Sequence, residues 1–85
     1  MVEFVPWMSP IHYAIFEFFD SHDIDISAKG LSSNIDYSRD YVLKECKTLV
    51  EVGLLEKDRT LFALTDRGRA FLAGELGADD LDRPE

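Results

Sequence analysis

The stretch Ile35-Asp36-Tyr37-Ser38-Arg39-Asp40-Tyr41-Val42-Leu43-Lys44-Glu45-Cys46-Lys47-Thr48-Leu49-Val50-Glu51-Val52-Gly53-Leu54-Leu55 decides how this chain folds. Ser38 belongs to the residue types whose side chains accept the free backbone N–H groups at a helix start, and Gly53 can supply the left-handed residue that ends one. With Val42 as the origin of a helical wheel, Cys46, Leu49 and Val50 fall within about 80° of it, the i, i+4, i+7, i+8 spacing of a buried stripe. Asp40, Lys44, Lys47 and Glu51 occupy the opposite face, flanked by Arg39, Leu43 and Thr48. The spacing predicts a helix over residues 39–52 with one side in a core and the other in solvent.

Working upstream, Ser27 opens a shorter helix that turns Ala28, Leu31 and Ile35 inward and is weakened by Gly30. Only Asp36-Tyr37 separates the two helices, so they must cross steeply, which leaves the N-terminal half of the second free to enter a DNA major groove. Before them, Ser9-Pro10 is a strong helix start, and Ile11, Ala14, Ile15, Phe18 and Phe19 form a buried stripe running to about His22. Asp23-Ile24-Asp25-Ile26 alternates in polarity and predicts a short strand able to pair with a later hairpin.

Downstream of Gly53, Leu54-Leu55-Glu56-Lys57 and Leu61-Phe62-Ala63-Leu64 read as two strands joined by Asp58-Arg59-Thr60. Thr65 caps a last helix with Ala70, Phe71 and Leu76 inward. This order predicts a mostly helical α+β fold, a winged helix-turn-helix: three-helix core, short β-hairpin wing and C-terminal helix. The boundaries expected are an apolar N-terminal segment over 1–8, the domain over 9–76 and a solvated, flexible acidic tail over 77–85.

A chain of 85 residues makes one small domain, burying about 60% or slightly more of its unfolded surface. Cys46 is its single cysteine, so no internal disulfide can form and an intracellular, cytoplasmic setting is expected. No signal peptide is evident, and no apolar run approaches the roughly 20 residues needed to span a bilayer. The net charge of −8 is unusual for a nucleic-acid binder, but its distribution is uneven. Residues 1–26 carry five acids and no Lys or Arg, residues 70–85 carry five acids and one Arg, and residues 27–69 carry eight bases against seven acids. An acidic surface with few lysines fits a protein working in concentrated salt; it fits equally an ordinary protein kept soluble by its charge. In molar salt, counterion release removes most non-specific DNA affinity, about 0.9 log units per log unit of salt for each phosphate neutralised. Base edges, apolar contact and shape must then supply what binding remains.

From Ser9 to Leu76 the chain resembles the small winged-helix transcriptional regulators of archaea, most closely the haloarchaeal phage-repressor-like group. The residues carrying the resemblance are Ser9-Pro10-Ile11 before an aromatic-rich helix, Ile35-Asp36-Tyr37-Ser38-Arg39 at the turn, Leu49-Val50-Glu51-Val52-Gly53-Leu54-Leu55 into the wing, and Leu64-Thr65-Asp66-Arg67-Gly68-Arg69-Ala70 opening the last helix. It implies sequence-specific binding of double-stranded DNA, commonly as a homodimer, in a saline cytoplasm. Carried over by position, Ser38, Arg39, Asp40, Leu43, Lys44 and Lys47 match the exposed positions of a recognition helix. Arg39 suits a bidentate contact to guanine O6 and N7, whereas Tyr37 and Ser38 are placed for phosphate. Lys44 and Lys47 can reach a base or the backbone. Asp40 departs from the pattern, since an acid facing DNA must orient Arg39 or Lys44 or accept from a cytosine amino group. At the wing tip Lys57, Arg59 and Thr60 suit phosphate or minor-groove contact.

Plainer readings compete. Lys44 and Lys47, with Glu51 one turn on, also make an ordinary solvated helix face. Arg67 and Arg69 suit phosphate, while Arg69 equally suits pairing with an acid of the hairpin. His12 and His22 have no ligand partner at useful spacing and Cys46 faces the core, so neither a metal nor a cofactor is expected. Phe4, Trp7 and Met8 either fold onto the core or, as we expect, pack against a second copy, together with the first and last helices. No nucleophile with a paired base and no phosphate-binding glycine loop is present, so catalysis is not expected. The leading expectation is a sequence-specific transcriptional regulator, a repressor; its rival is a winged-helix protein-interaction module that does not bind nucleic acid.

Overall fold

The computed structural model describes residues 5–77, 80 and 81. Its elements run α1 (Pro10–Ser21), β1 (Ile26–Ser27), α2 (Ala28–Ile35), α3 (Arg39–Glu51), β2 (Leu55–Asp58), β3 (Leu61–Leu64) and α4 (Asp66–Leu72). The three strands form an antiparallel sheet in the order β1-β3-β2. This is the winged helix-turn-helix that the spacing predicts.

The predicted caps define the helices. Ser27 Oγ accepts from Gly30 N–H at 3.1 Å, Ser38 Oγ from Tyr41 N–H at 3.3 Å, and Thr65 Oγ1 from Gly68 N–H at 2.9 Å. At α1 the cap is reversed: Ser9 N–H donates to His12 Nδ1 at 2.8 Å. α3 ends as the glycine foretells, with Gly53 at φ +80, its N–H on the Val50 carbonyl and the Leu54 N–H on the Leu49 carbonyl, both at 3.0 Å. That pair of bonds satisfies carbonyls the helix would otherwise leave free, and Leu49 and Leu54 are both fully buried beside it.

α1 lies at the centre, which is why it buries more than one stripe. Phe16 joins Ile11, Ile15, Phe18 and Phe19 in the core, with its ring 5.0 Å from that of Phe71 in α4, while Ala14 is only half-buried. A periodicity argument sees one face; packing by α2 and α3 on one side and α4 on another requires two.

The sheet is also shorter at its start than the alternation suggests. Asp23, Ile24 and Asp25 remain exposed, and pairing begins at Ile26, opposite Phe62, with Ser27 opposite Leu61. Ser27 must also cap α2, so the strand can extend no further. The hairpin pairs Leu55 with Leu64 through Asp58 with Leu61, leaving only Arg59 and Thr60 in the turn. Arg59 takes φ 59, a left-handed value that costs a side-chain-bearing residue roughly 1–2 kcal/mol.

Thr65 fastens the wing to α3. Besides capping α4 it donates to the Gly53 carbonyl at 2.6 Å, and its N–H donates to the Leu54 carbonyl at 3.2 Å. Gly68 closes the same joint: a Cβ there would strike the Leu54 carbonyl oxygen, so only glycine lets α4 approach so closely.

The terminal segments differ from expectation. Val5 is fully buried, its N–H donating to Tyr13 Oη at 2.8 Å, and Met8, assigned above to a partner, is 7% exposed in the core of its own chain. Trp7 is half-buried, edge-on to His12, with Nε1–H donating to the Leu81 carbonyl at 3.1 Å. Leu81 is itself 2% exposed, and Arg67 donates to the Asp80 carbonyl at 2.6 Å. The described part of the expected solvated tail is thus anchored. A small core gains by gathering apolar groups from both ends of the chain, and Leu81 joins that core from the C-terminal side. Phe4 lies outside the described residues.

Candidate nucleic-acid interface

α3 presents two unlike surfaces. Val42, Cys46 and Leu49 are fully buried, whereas Asp40, Leu43, Lys44, Lys47, Thr48 and Glu51 line a shallow trough along the outer side. Among the described residues no other element lines that trough, so none of them covers the polar face of α3. The short link between α2 and α3 begins at Asp36, which ends α2 in the left-handed conformation at φ 61, ψ 41. Asp tolerates that region better than most residues, and the chain reverses there in three residues.

Arg39 stands at the first position of α3, with Nη2 3.4 Å from Asp40 Oδ1; the two side chains are 65% and 88% exposed. An ion pair this exposed adds little stability. It joins Arg39 to Asp40, which itself lines the trough. Lys44 and Lys47 are exposed and have no ion-pair partner among the described residues. Leu43 is half-buried against the core, so only part of it can face a ligand. The Thr48 hydroxyl is turned back to the Lys44 carbonyl at 3.3 Å. Tyr37 is half-buried, packed edge-on to Tyr41 with ring centroids 5.8 Å apart at 70°. Sequence spacing does not single out Tyr41, which a helical wheel places only on a flank of α3.

The third acid of α3, Glu45, leaves the outer face. Its Oε2 lies 3.3 Å from His12 Nε2, and burial holds the His12 pKa below its ordinary value despite the raising pull of that carboxylate. Geometry agrees, because a ring nitrogen accepting from Ser9 N–H cannot also carry a proton. His12 is therefore neutral and protonated at Nε2, towards Glu45. Inward placement of Glu45 leaves Arg39, Lys44 and Lys47 against Asp40 and Glu51 on the outer side. Burial, with the Glu45 charge second, pushes the Cys46 thiol up to about 12, so it is a core group without thiolate chemistry at neutral pH.

At the wing, Glu56 to Leu61 are all exposed. Lys57 Nζ lies 5.8 Å over the Phe62 ring, while Arg59 and Thr60 form the turn itself. Arg69 does not pair with the hairpin: it binds Asp66 at 3.2 Å and Asp23 at 3.6 Å, because α4 runs beside the loop after α1. Arg67 is directed to Asp80. The structure thus places Arg39, Asp40, Lys44 and Lys47 on α3, with Tyr37 and Ser38 in the turn that leads into it, and sets Lys57, Arg59 and Thr60 on a separate projection. Among the described residues no three of His, Cys, Asp and Glu cluster as metal ligands, and no helix is long and apolar enough to cross a membrane.

An open helix after a tight turn, followed by a hairpin locked to its end, defines a winged helix-turn-helix protein. The chain belongs to the winged helix-turn-helix phage repressor family, whose model matches residues 1–84. A repressor protein of Halobacterium phage phiH is similar to it, 32% identical over 84 residues covering 93% of this chain and 94% of the relative. No solved structure matches it significantly. At family level this is a DNA-binding repressor.

Proposed function

We propose that this protein represses transcription by binding double-stranded DNA in a sequence-selective way, with α3 in the major groove and the wing on the backbone. The observation that carries the reading is the trough of α3, which no other element lines among the described residues and which begins at its N-terminal turn, the part that reaches base edges in helix-turn-helix complexes. Arg39 reads guanine, with Asp40 orienting it; Ser38 and Tyr37 touch phosphate; Lys44 and Lys47 reach base edges or the adjacent backbone; Arg59, Thr60 and Lys57 follow the flanking strand. Similarity to a halophage repressor favours a saline setting, in which the acidic remainder of the chain carries little electrostatic cost.

We further infer a homodimer, since two recognition helices related by a two-fold axis read half-sites about 10–10.5 base pairs apart. Phe4 and Trp7, at the N-terminal edge, are its proposed seam. Sedimentation equilibrium of the whole chain tests it, because removing residues 1–8 would strip Val5 and Met8 from the core.

The test of DNA reading is selection of bound duplexes from a random pool in concentrated potassium chloride, followed by mobility shift. A consensus with two-fold symmetry is expected. The net charge of −8 favours the rival, a protein-binding winged helix, and no enrichment at any salt concentration would decide for it.

A further inference from the structure

Among the described residues Tyr41 is one of three large apolar side chains left substantially exposed, at 39%, and it stands in the first turn of α3 beside the proposed reading head. Such exposure in a small core that gathers apolar groups even from its termini calls for a reason. The ring is not loose. Asp36 fixes the chain in the left-handed region, Tyr37 packs back against the core, and Tyr41 meets Tyr37 edge-on at 5.8 Å. Its backbone N–H is held by the Ser38 cap. A tyrosine braced in this way loses little side-chain freedom on binding, since it has only two torsions to fix.

On the helix, Tyr41 precedes Lys44 by three residues and Thr48 by seven, so the three share one flank and Tyr41 borders the trough that Lys44 and Thr48 line. The Thr48 hydroxyl is committed to the Lys44 carbonyl and is not free to donate to a partner. This flank is thus mainly hydrocarbon: an aromatic ring, a lysine stem and a threonine side chain with its hydroxyl occupied. In the major groove the apolar feature on a base edge is the C5-methyl group of thymine.

We propose that Tyr41 is a specificity-determining residue, its ring packing on a thymine methyl group in each half-site. This rests on the duplex-binding reading above. It also gives a chain of net charge −8 a source of selectivity that salt does not screen.

The probe is the duplex enriched by the wild-type protein, compared with versions in which each thymine in turn is deoxyuridine, which lacks only the methyl group. For the wild type, one position per half-site should lose about fourfold in affinity, the equivalent of burying one methyl group. Tyr41→Phe should keep that penalty. Tyr41→Ala and Tyr41→Gln should bind the thymine duplex more weakly and show no penalty at that position, with thermal unfolding confirming that both variants fold. An undiminished penalty in either of these two variants would overturn the proposal, as would Tyr41→Phe binding as weakly as Tyr41→Ala, which would give the contact to the hydroxyl. If the wild type enriches no sequence, the duplex-binding reading itself fails; enrichment without the Tyr41 pattern defeats this proposal alone.

Discussion

On the inward side of α3, Val42, Cys46 and Leu49 have no solvent exposure and Glu45 lies against His12; on the outward side, Asp40, Lys44, Lys47 and Glu51 form no hydrogen bond or ion pair with another element among the described residues. One helix therefore carries a surface that holds the domain together and another that contributes almost nothing to holding it. The difference teaches where changes should register. Inward substitutions should alter folding and leave the recognition pattern of the folded fraction unchanged, whereas outward ones should do the reverse.

Leu49→Ala presses hardest on that division. Leu49 is fully buried and its carbonyl terminates the helix, so truncation should cost about 2–5 kcal/mol, a large part of a small domain's stability. Chemical denaturation should show the loss, while the molecules that remain folded keep the same operator consensus. A changed consensus would mean the two faces are coupled.

On the other face, Arg39→Ala should leave the denaturation midpoint nearly unmoved and relax base preference at one operator position, worth roughly 1–3 kcal/mol. Lys44→Ala or Lys47→Ala should affect affinity with similarly small changes in stability. Equal weakening of every sequence by Arg39→Ala would reassign it to phosphate.

The wing offers a finer test, because Arg59 holds φ 59 in a two-residue turn. Arg59→Gly relieves that backbone and should stabilise the fold by about 1 kcal/mol, yet weaken binding to all duplexes alike and lower the salt slope. Stabilisation with unchanged affinity would remove Arg59 from the interface.

The smallest expected effect lies where the inward face meets the N-terminal segment. Because burial holds the His12 pKa below 6.5, the unfolded chain takes up that proton first as pH falls. The contribution from this residue is complete above about pH 6.5 and drains away as pH falls towards the lower folded-state value. His12→Asn keeps an acceptor for Ser9 N–H and should flatten that part of the profile, measured as denaturation midpoints between neutral and mildly acidic pH.

How much of this was legible in the sequence depended on the distance over which each feature is decided. Ser9, Ser27, Ser38 and Thr65 were found as helix starts, and Gly53 as a helix end, because each acts through backbone groups a few residues away. The candidate face of α3 was legible for the same reason, since a period fixes which residues share a side. Tyr41 was missed because a wheel ranks it as a flank, and only the packing of Tyr37 shows that its ring is held outward.

The amino-acid order alone thus determined the elements, their succession and the polar side of the recognition helix, all consequences of local hydrogen bonding and periodic side-chain direction. Tertiary structure alone decided that Val5, Met8 and Leu81 join the core, that Phe16 gives α1 a second buried face, that Glu45 turns inward to His12, and that Arg69 reaches Asp23. Those choices join residues distant along the chain, and what selects them is the burial of apolar surface by a domain with little core to spare, for which no short stretch of sequence carries a signature.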